Sequence, residues 1–308
     1  MRVTGWGVGL GLALLLGVCG TLGAQDLPMA PVRGAGEGVT GAFEGWFPNQ
    51  DGSYTFLLGY YNRNKEEALD VPIGPNNQIQ PGGPDQGQPT HFLPGGRQWG
   101  NFAIKVPKDF GDKKLTWTLT ANGKTTIIPL SLNPLYRLDP FMDATGDTPP
   151  YIGFSNEGPF VNGPIGQDKA MTAKVGTPVN LTVYLADDAK DPMLHNSHPV
   201  VSVKWTMMRG PAAVKFENTA PKVETAKLDS PPPGTPFNGK ATTTATFSAP
   251  GEYILNLQAE DQTGGGPAGR QCCWSNAKLK VTVTQYILCR GCAAKAQSDG
   301  VGQSGSRN

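Results

Sequence analysis

The chain has 308 residues, of which 41 Gly and 28 Pro together make up about 22%, while charged residues are only 17%. Hydrophobic residues at 38% are enough for a packed core, and the Gly and Pro excess stays below the roughly 25–30% of a low-complexity chain. Removing residues 1–24 takes Arg2 from the 26 basic residues and leaves the rest matched with the 25 acids, so no basic surface gathers phosphates and nucleic acid is excluded as a partner class.

Residues 1–24 read as a signal peptide. Arg2 supplies the positive end, Val8 to Val18 is apolar but too short to span a bilayer, and Gly20, Gly23 and Ala24 offer a cleavage site before Gln25. Cys19, three residues after Leu16, leaves lipidation open as an alternative, although Val18 breaks that pattern. Residues 25–39 are expected to be a flexible N-terminal segment, and no segment of the mature chain reaches membrane-spanning length. The expected address is the periplasm or the space outside the cell, where thiols oxidise.

From residue 40 onward the apolar period is two. Ala42 to Phe47 and Tyr54 to Tyr61 flank an Asp51-Gly52 turn, and Leu115 to Ala121 and Thr125 to Leu130 flank Asn122-Gly123, a type I′ hairpin signal. Glu67 to Ile73 and Gln98 to Val106 add strands, with Gly74 to Gly96 between them read as a long surface loop. Residues 40–135 are therefore expected to form a β-sandwich-like domain, and 136–169 a Pro- and Gly-rich crossover whose aromatics pack it against its neighbours.

A second set of alternating rows follows: Val179 to Leu185, Val201 to Trp205, Ala241 to Phe247, Tyr253 to Ala259 and Leu279 to Val283, with edge strands near Met171 and Val214. About seven strands over residues 170–286 suit an immunoglobulin-like sandwich with Trp205 buried on its third strand. The fold class is thus all-β, two β-sandwich domains, the C-terminal one immunoglobulin-like. Residues 287–308 carry Cys289-Arg-Gly-Cys292 and a polar, disordered tail.

The run Phe247 to Asp261, in which Pro250-Gly251 and Tyr253 open a strand and Asp261 closes it, resembles the closing half of bacterial PKD-like and other immunoglobulin-like repeats. With Pro81 to Phe92 and Gln271 to Asn276, the wider chain resembles a group of uncharacterised secreted proteins of environmental bacteria with a C-terminal PKD-like domain. That resemblance implies a fold and no activity.

In such a sandwich the ends of the second and sixth strands share one pole, which gathers Asp187, Asp188 and Asp191 with Glu260 and Asp261. Converging carboxylates suit calcium, which takes about 6–8 oxygens; the alternative is that they solvate loops and cap turns. No resident cofactor is expected, with calcium the candidate at this pole. His195 and His198 reach the same pole and, with the Cys272–Cys273 pair, would suit zinc or copper; the alternative is two surface histidines on an ordinary exposed loop between Pro192 and Pro199.

Cys273 precedes the last strand and Cys289 follows it, about 50 Å apart if extended, against the roughly 6 Å between Cα atoms that a disulfide allows. The expected bonds are therefore local: Cys272–Cys273 and Cys289–Cys292.

Trp46, Tyr60, Tyr61, His91 and Trp99, flanked by Asn62, Asn64 and Asn101, are candidates for a sugar-binding surface, although alternation must bury about half of the aromatics. Three histidines and the lack of a nucleophile elbow, zinc helix or phosphate loop argue against an enzyme. The expected function is a non-catalytic, adhesion-type protein that binds a protein or polysaccharide in the envelope or outside the cell. The alternatives are an architectural envelope module, or a carbohydrate-active enzyme using carboxylates among Glu66, Glu67, Asp70 and Asp85.

Overall fold

Period-two rows need a second apolar face to cover them, and the chain meets that need twice. A computed structural model of the protein describes residues 33–190, 200–261 and 272–285. The N-terminal body contains β1 (Val39–Pro48), β2 (Tyr54–Asn62), β3 (Leu69–Asp70), β4 (Asn77–Gln80), β5 (His91–Phe92), β6 (Gly96–Val106), β7 (Leu115–Ala121) and β8 (Lys124–Leu130). One sheet has the order β1-β2-β6 and the facing sheet β4-β7-β8, with β3 and β5 forming a short ribbon. Phe56, Leu58, Ile79, Phe102, Trp117 and Leu119 come from both sheets and share one core. The β7–β8 hairpin turns on Asn122 and Gly123, both at positive φ, as a type I′ turn requires.

The piece between Gly74 and Gly96 is not the surface loop its composition suggests. It carries β4 and β5, and Asn77, Ile79, Gln88 and Phe92 within it are buried. Polar side chains make this possible: the Asn77 amide donates to the carbonyls of Val71 and Pro89 and accepts from the Trp117 indole, and Gln88 donates to Pro84. A chain without regular hydrogen bonds can be buried when side-chain amides satisfy its backbone. The strand expected over Glu67 to Ile73 shrinks accordingly to Leu69–Asp70.

The C-terminal body contains β9 (Tyr151–Gly153), β10 (Gln167–Lys174), β11 (Val179–Asp187), β12 (Val201–Arg209), β13 (Val214–Phe216), β14 (Glu224–Thr225), β15 (Phe237–Phe247), β16 (Gly251–Asp261) and β17 (Trp274–Thr284). Its sheets have the orders β10-β17-β16-β12 and β13-β15-β11-β9, with β14 pairing β15. The first edge splits: β9 pairs antiparallel with β11, then β10 crosses to pair parallel with β17. This is an immunoglobulin-like arrangement, and Trp205 on β12 is buried in its core as expected. The crossover is thus partly strand, because β9 lies inside it.

The two bodies share a boundary built by a bulge. The register of β12 slips between Met207 and Arg209, so Met207 stays in the C-terminal core while Met208 turns into the N-terminal one. There the Thr90 N–H donates to the Met208 carbonyl, and Arg209 grips both carboxylate oxygens of Asp85 at 2.9 and 2.7 Å. Trp274 of β17 packs with Phe47, Leu57 and Leu138, and the Asn276 amide donates to the Gly100 carbonyl.

Candidate functional site

Side-chain parity along three strands builds the first candidate site. Leu181, Val183 and Leu185 point into the C-terminal sandwich, and the next residue of that row is Asp187. Leu255, Leu257 and Ala259 point inward from the facing sheet, and their row ends in Asp261. On β17 the inward row Ala277, Leu279, Val281 extends back to Cys273. Each row keeps its direction because successive side chains alternate faces. Asp187, Asp261 and Cys273 therefore all lie buried at the end where the hydrophobic core stops.

Asp147 enters from the crossover. Asp143 organises that loop, accepting from the backbone N–H groups of Thr145 and Asp147. Asp147, Asp187 and Asp261 are all buried, and the carboxylate oxygens of Asp147 and Asp261 lie with Cys273 Sγ inside a mutual 4.8 Å. Asp187 Oδ1 accepts from the Ala189 N–H at 2.8 Å, while its Oδ2 is buried with no hydrogen-bond partner. Burial pushes Asp187 up to about 8, and the carboxylates of Asp261, Asp188 and Asp147 push the same way against the Ala189 bond. Burial also raises Asp188, but the Lys190 N–H, the Thr148 hydroxyl, Asp147 and the Lys190 ammonium outweigh it and hold Asp188 below its ordinary value.

The sulfur chemistry is closed in this state. Cys272 and Cys273 are joined to each other, as their adjacency predicts. Their sulfurs lie 3.9 and 3.5 Å from the Asp147 carbonyl oxygen, but a disulfide carries neither a proton to donate nor a thiolate charge. Cys289 and Cys292 lie outside the described residues, as do Asp191, His195 and His198. Glu260 does not join the cluster: next to Asp261 on a strand, it faces the other way.

Glu260 instead reaches the second candidate site, a groove where the two bodies meet. A hollow of about 220 Å³ is lined by Arg97, Gln98 and Trp99 of β6 and by Lys204, Gln258, Glu260 and Trp274 of the C-terminal body. The Arg97 guanidinium lies 4.1 Å over the Trp99 ring and donates to Glu44 at 2.6 Å, which fixes both side chains. Trp99 is 37% exposed. Gln98 and Lys204 also line an adjoining hollow of about 310 Å³, with His91, Pro94, Trp205 and Phe216.

The five aromatic and histidine candidates do not form one surface. Tyr60 is a core residue, edge-on to Phe92 at 5.0 Å, with its hydroxyl accepting from the Leu93 N–H. Trp46 donates to the Asn133 carbonyl and packs on Tyr54, and Tyr61 is half-buried near Gly96. His91 binds Asp70 at 2.8 Å and lines the adjoining hollow, so Trp99 and His91 alone reach the groove. Asn62, Asn64 and Asn101 are buried, and the first two spend their amides on backbone carbonyls. Of the carboxylates considered for sugar hydrolysis, Glu67 accepts from Gly36, Asp70 holds His91 and Asp85 holds Arg209, three separate partnerships. Lys204, Gln258 and Trp274 were missed, since only the docking of the two bodies brings them beside Trp99.

No helix among the described residues is long and apolar enough to cross a membrane. No family model matches the chain, and no curated protein matches it. Among solved structures, the chain is similar to the PKD domain from KIAA 1837 protein, at 18% identity over 40% of this chain and 84% of that one, with a TM-score of 0.21. It is also similar to the D00-D0 domain of intimin, at 15% identity over 80% and 99%, TM-score 0.24, and to domains 4 and 5 of the S-layer protein SbsC, at 13% over 56% and 66%, TM-score 0.23. Likenesses at these scores carry no argument, and the all-β class rests on the strand order and register given above.

Proposed function

We propose that the chain is an exported, non-catalytic binding protein that holds a polysaccharide in the groove between its two bodies. Export is read from residues 1–24, and the binding role from the groove. The observation that carries the reading is Trp99, a half-open indole held in place by Arg97, facing a hollow that also offers Gln98, Gln258, Lys204 and Glu260. An indole face covers the apolar side of a sugar ring, while amides and charged groups take its hydroxyls. A concave hollow whose lining mixes polar side chains with apolar ones suits a chain of sugars better than a flat apolar protein surface. The two contiguous hollows, sharing Gln98 and Lys204, give the length for more than one ring.

A glycan array followed by calorimetry on the best polysaccharide tests this. Binding should weaken about tenfold in Trp99→Ala, equivalent to ~1.4 kcal/mol, with no reducing ends released on long incubation. Failure to retain any glycan, or equal affinity in the variant, refutes the assignment. A second reading, a protein partner, is favoured by exposed Leu135, Tyr136, Phe141, Met142 and Ile165 on and beside the crossover. Capture of a protein from envelope extract that is lost in Leu135→Asp but kept in Trp99→Ala would select it.

A further inference from the structure

We propose, resting on the polysaccharide reading above, that the hollow of about 310 Å³ beside the groove receives an O-acyl group, an ester on a sugar hydroxyl, so that the glycan held there is an acylated one. The sandwich gives this hollow its character. β12 ends the order of one sheet and β13 that of the other, so both are edge strands, and the hollow is lined from each. Trp205 and Met207 of β12 belong to the C-terminal core, and Val214 and Phe216 of β13 pack against it, yet all four line the hollow. It is a gap between two sheet edges that opens onto core-facing side chains, which are apolar because alternation turns them inward. Leu93 and Pro94 of the N-terminal body add to that wall, and Gln98 and Lys204 belong to the hollow and the groove alike.

A bare sugar chain does not suit those walls. Hydroxyls placed against Leu93, Met207, Val214 and Phe216 lose water and gain no bond, whereas a hydrocarbon chain gains from the same burial. Size agrees: an apolar cavity of about 150 Å³ holds a benzene molecule, so the larger hollow has room for an acyl chain of several carbons. The second observation is the Trp205 indole. Trp205 is 1% exposed, and its Nε1–H is a buried donor with no acceptor, on a side chain that lines the hollow. A donor in that state forgoes a bond until an acceptor is brought to it. An ester is an apolar chain with one strong acceptor, its carbonyl oxygen. An ether brings the chain without that carbonyl, and a free carboxylate would set a charge against apolar walls. The ring that bears the ester then lies at Gln98 and Lys204, between its acyl group and the ring that covers Trp99.

The test is calorimetry of the whole protein with β-linked oligosaccharides of glucose, xylose and mannose, each supplied plain, O-butanoylated and O-butylated. At least one sugar should bind about tenfold or more tightly as the ester than in its plain form, with the ether between them. In nitrogen-labelled protein the Trp205 indole N–H signal should move with the ester and stay in place with the plain sugar. Ala213, exposed and outside both cores, offers a position from which to fill the hollow. Ala213→Trp should remove the advantage of the ester and leave plain-sugar affinity unchanged. If that variant does not fold, Leu93→Asn, at a half-buried position outside both cores, serves the same purpose. Trp99→Ala should weaken all three forms alike. Equal affinity for plain and esterified sugars, or an advantage that survives in a folded variant, overturns the acyl assignment while the polysaccharide reading stands. An ether that binds as tightly as the ester, with the Trp205 signal unmoved, overturns it too. Retention of no form of any sugar removes the polysaccharide reading and the acyl assignment together.

Discussion

Glu44 and Asp187 are both carboxylates with little access to water, but Glu44 meets the Arg97 guanidinium at 2.6 Å whereas Asp187 faces Asp147, Asp188 and Asp261. Burial raises both above the ordinary carboxylate range, and in Glu44 the arginine works against that rise. Beside the groove, β6 supplies the counter-charge to Glu44 of β1 across the intervening β2. At the pole the groups that face Asp187 are themselves acids, and Asp261, Asp188 and Asp147 raise it further. What faces a buried acid therefore matters alongside how deeply it sits: an arginine opposes the rise that burial imposes on Glu44, and neighbouring acids add to it in Asp187.

The largest effect expected from this contrast is at Arg97. Arg97→Ala leaves Glu44 buried without its partner and should destabilise the protein by about 3 kcal/mol, read as a lower urea midpoint. Adding Glu44→Gln should recover most of that loss. If Arg97→Ala costs no more than an ordinary surface substitution, the groove-side pair is not the internal counter-charge described here.

Gly100 tests how tightly the groove is held together. Its φ is +48°, and a Cβ there would lie 2.2 Å from the Trp274 ring. Gly100→Ala should cost about 2 kcal/mol and shift tryptophan emission as Trp274 is displaced. Unchanged stability would mean that the two bodies do not need this close approach.

The smallest effect concerns pH. Hydrogen bonds from Arg209 hold Asp85 below its ordinary value, outweighing its partial burial. A carboxylate depressed in the folded state adds stability above its unfolded pKa, about 3.9, and that stability is lost as pH falls through the lower folded value. Stability should therefore fall with acid below about pH 4–5, and Arg209→Ala should flatten that limb. Parallel limbs in the two proteins would show that the Asp85–Arg209 bond does not link the bodies in solution.

Several of these features could be read in the residues themselves. The rows through Leu181, Leu185 and Leu257 could be followed to Asp187 and Asp261, and strict parity would have removed Glu260 from the pole. The burial of Trp205, the turn at Asn122-Gly123 and the local Cys272–Cys273 bond were equally legible. The order of Gly74 to Gly96 is not legible because it comes from Asn77 and Gln88 side chains bonding carbonyls within and beside the segment, which leaves no periodicity behind. Asp147 gives no signal either, since one acid among several in a Pro- and Gly-rich crossover looks like any turn residue.

What the chain alone determines is which side chains face inward along each strand, because the pleat fixes alternation locally and every residue inherits it from its neighbour. Which inward rows meet, and what stands opposite them, depends on contacts between residues scores of positions apart. The Met207–Met208 bulge joins two cores, the crossover carries Asp147 to the pole, and β17 brings Trp274 beside Trp99. Those placements follow from how whole sheets bury their faces against each other, a balance that no local pattern encodes.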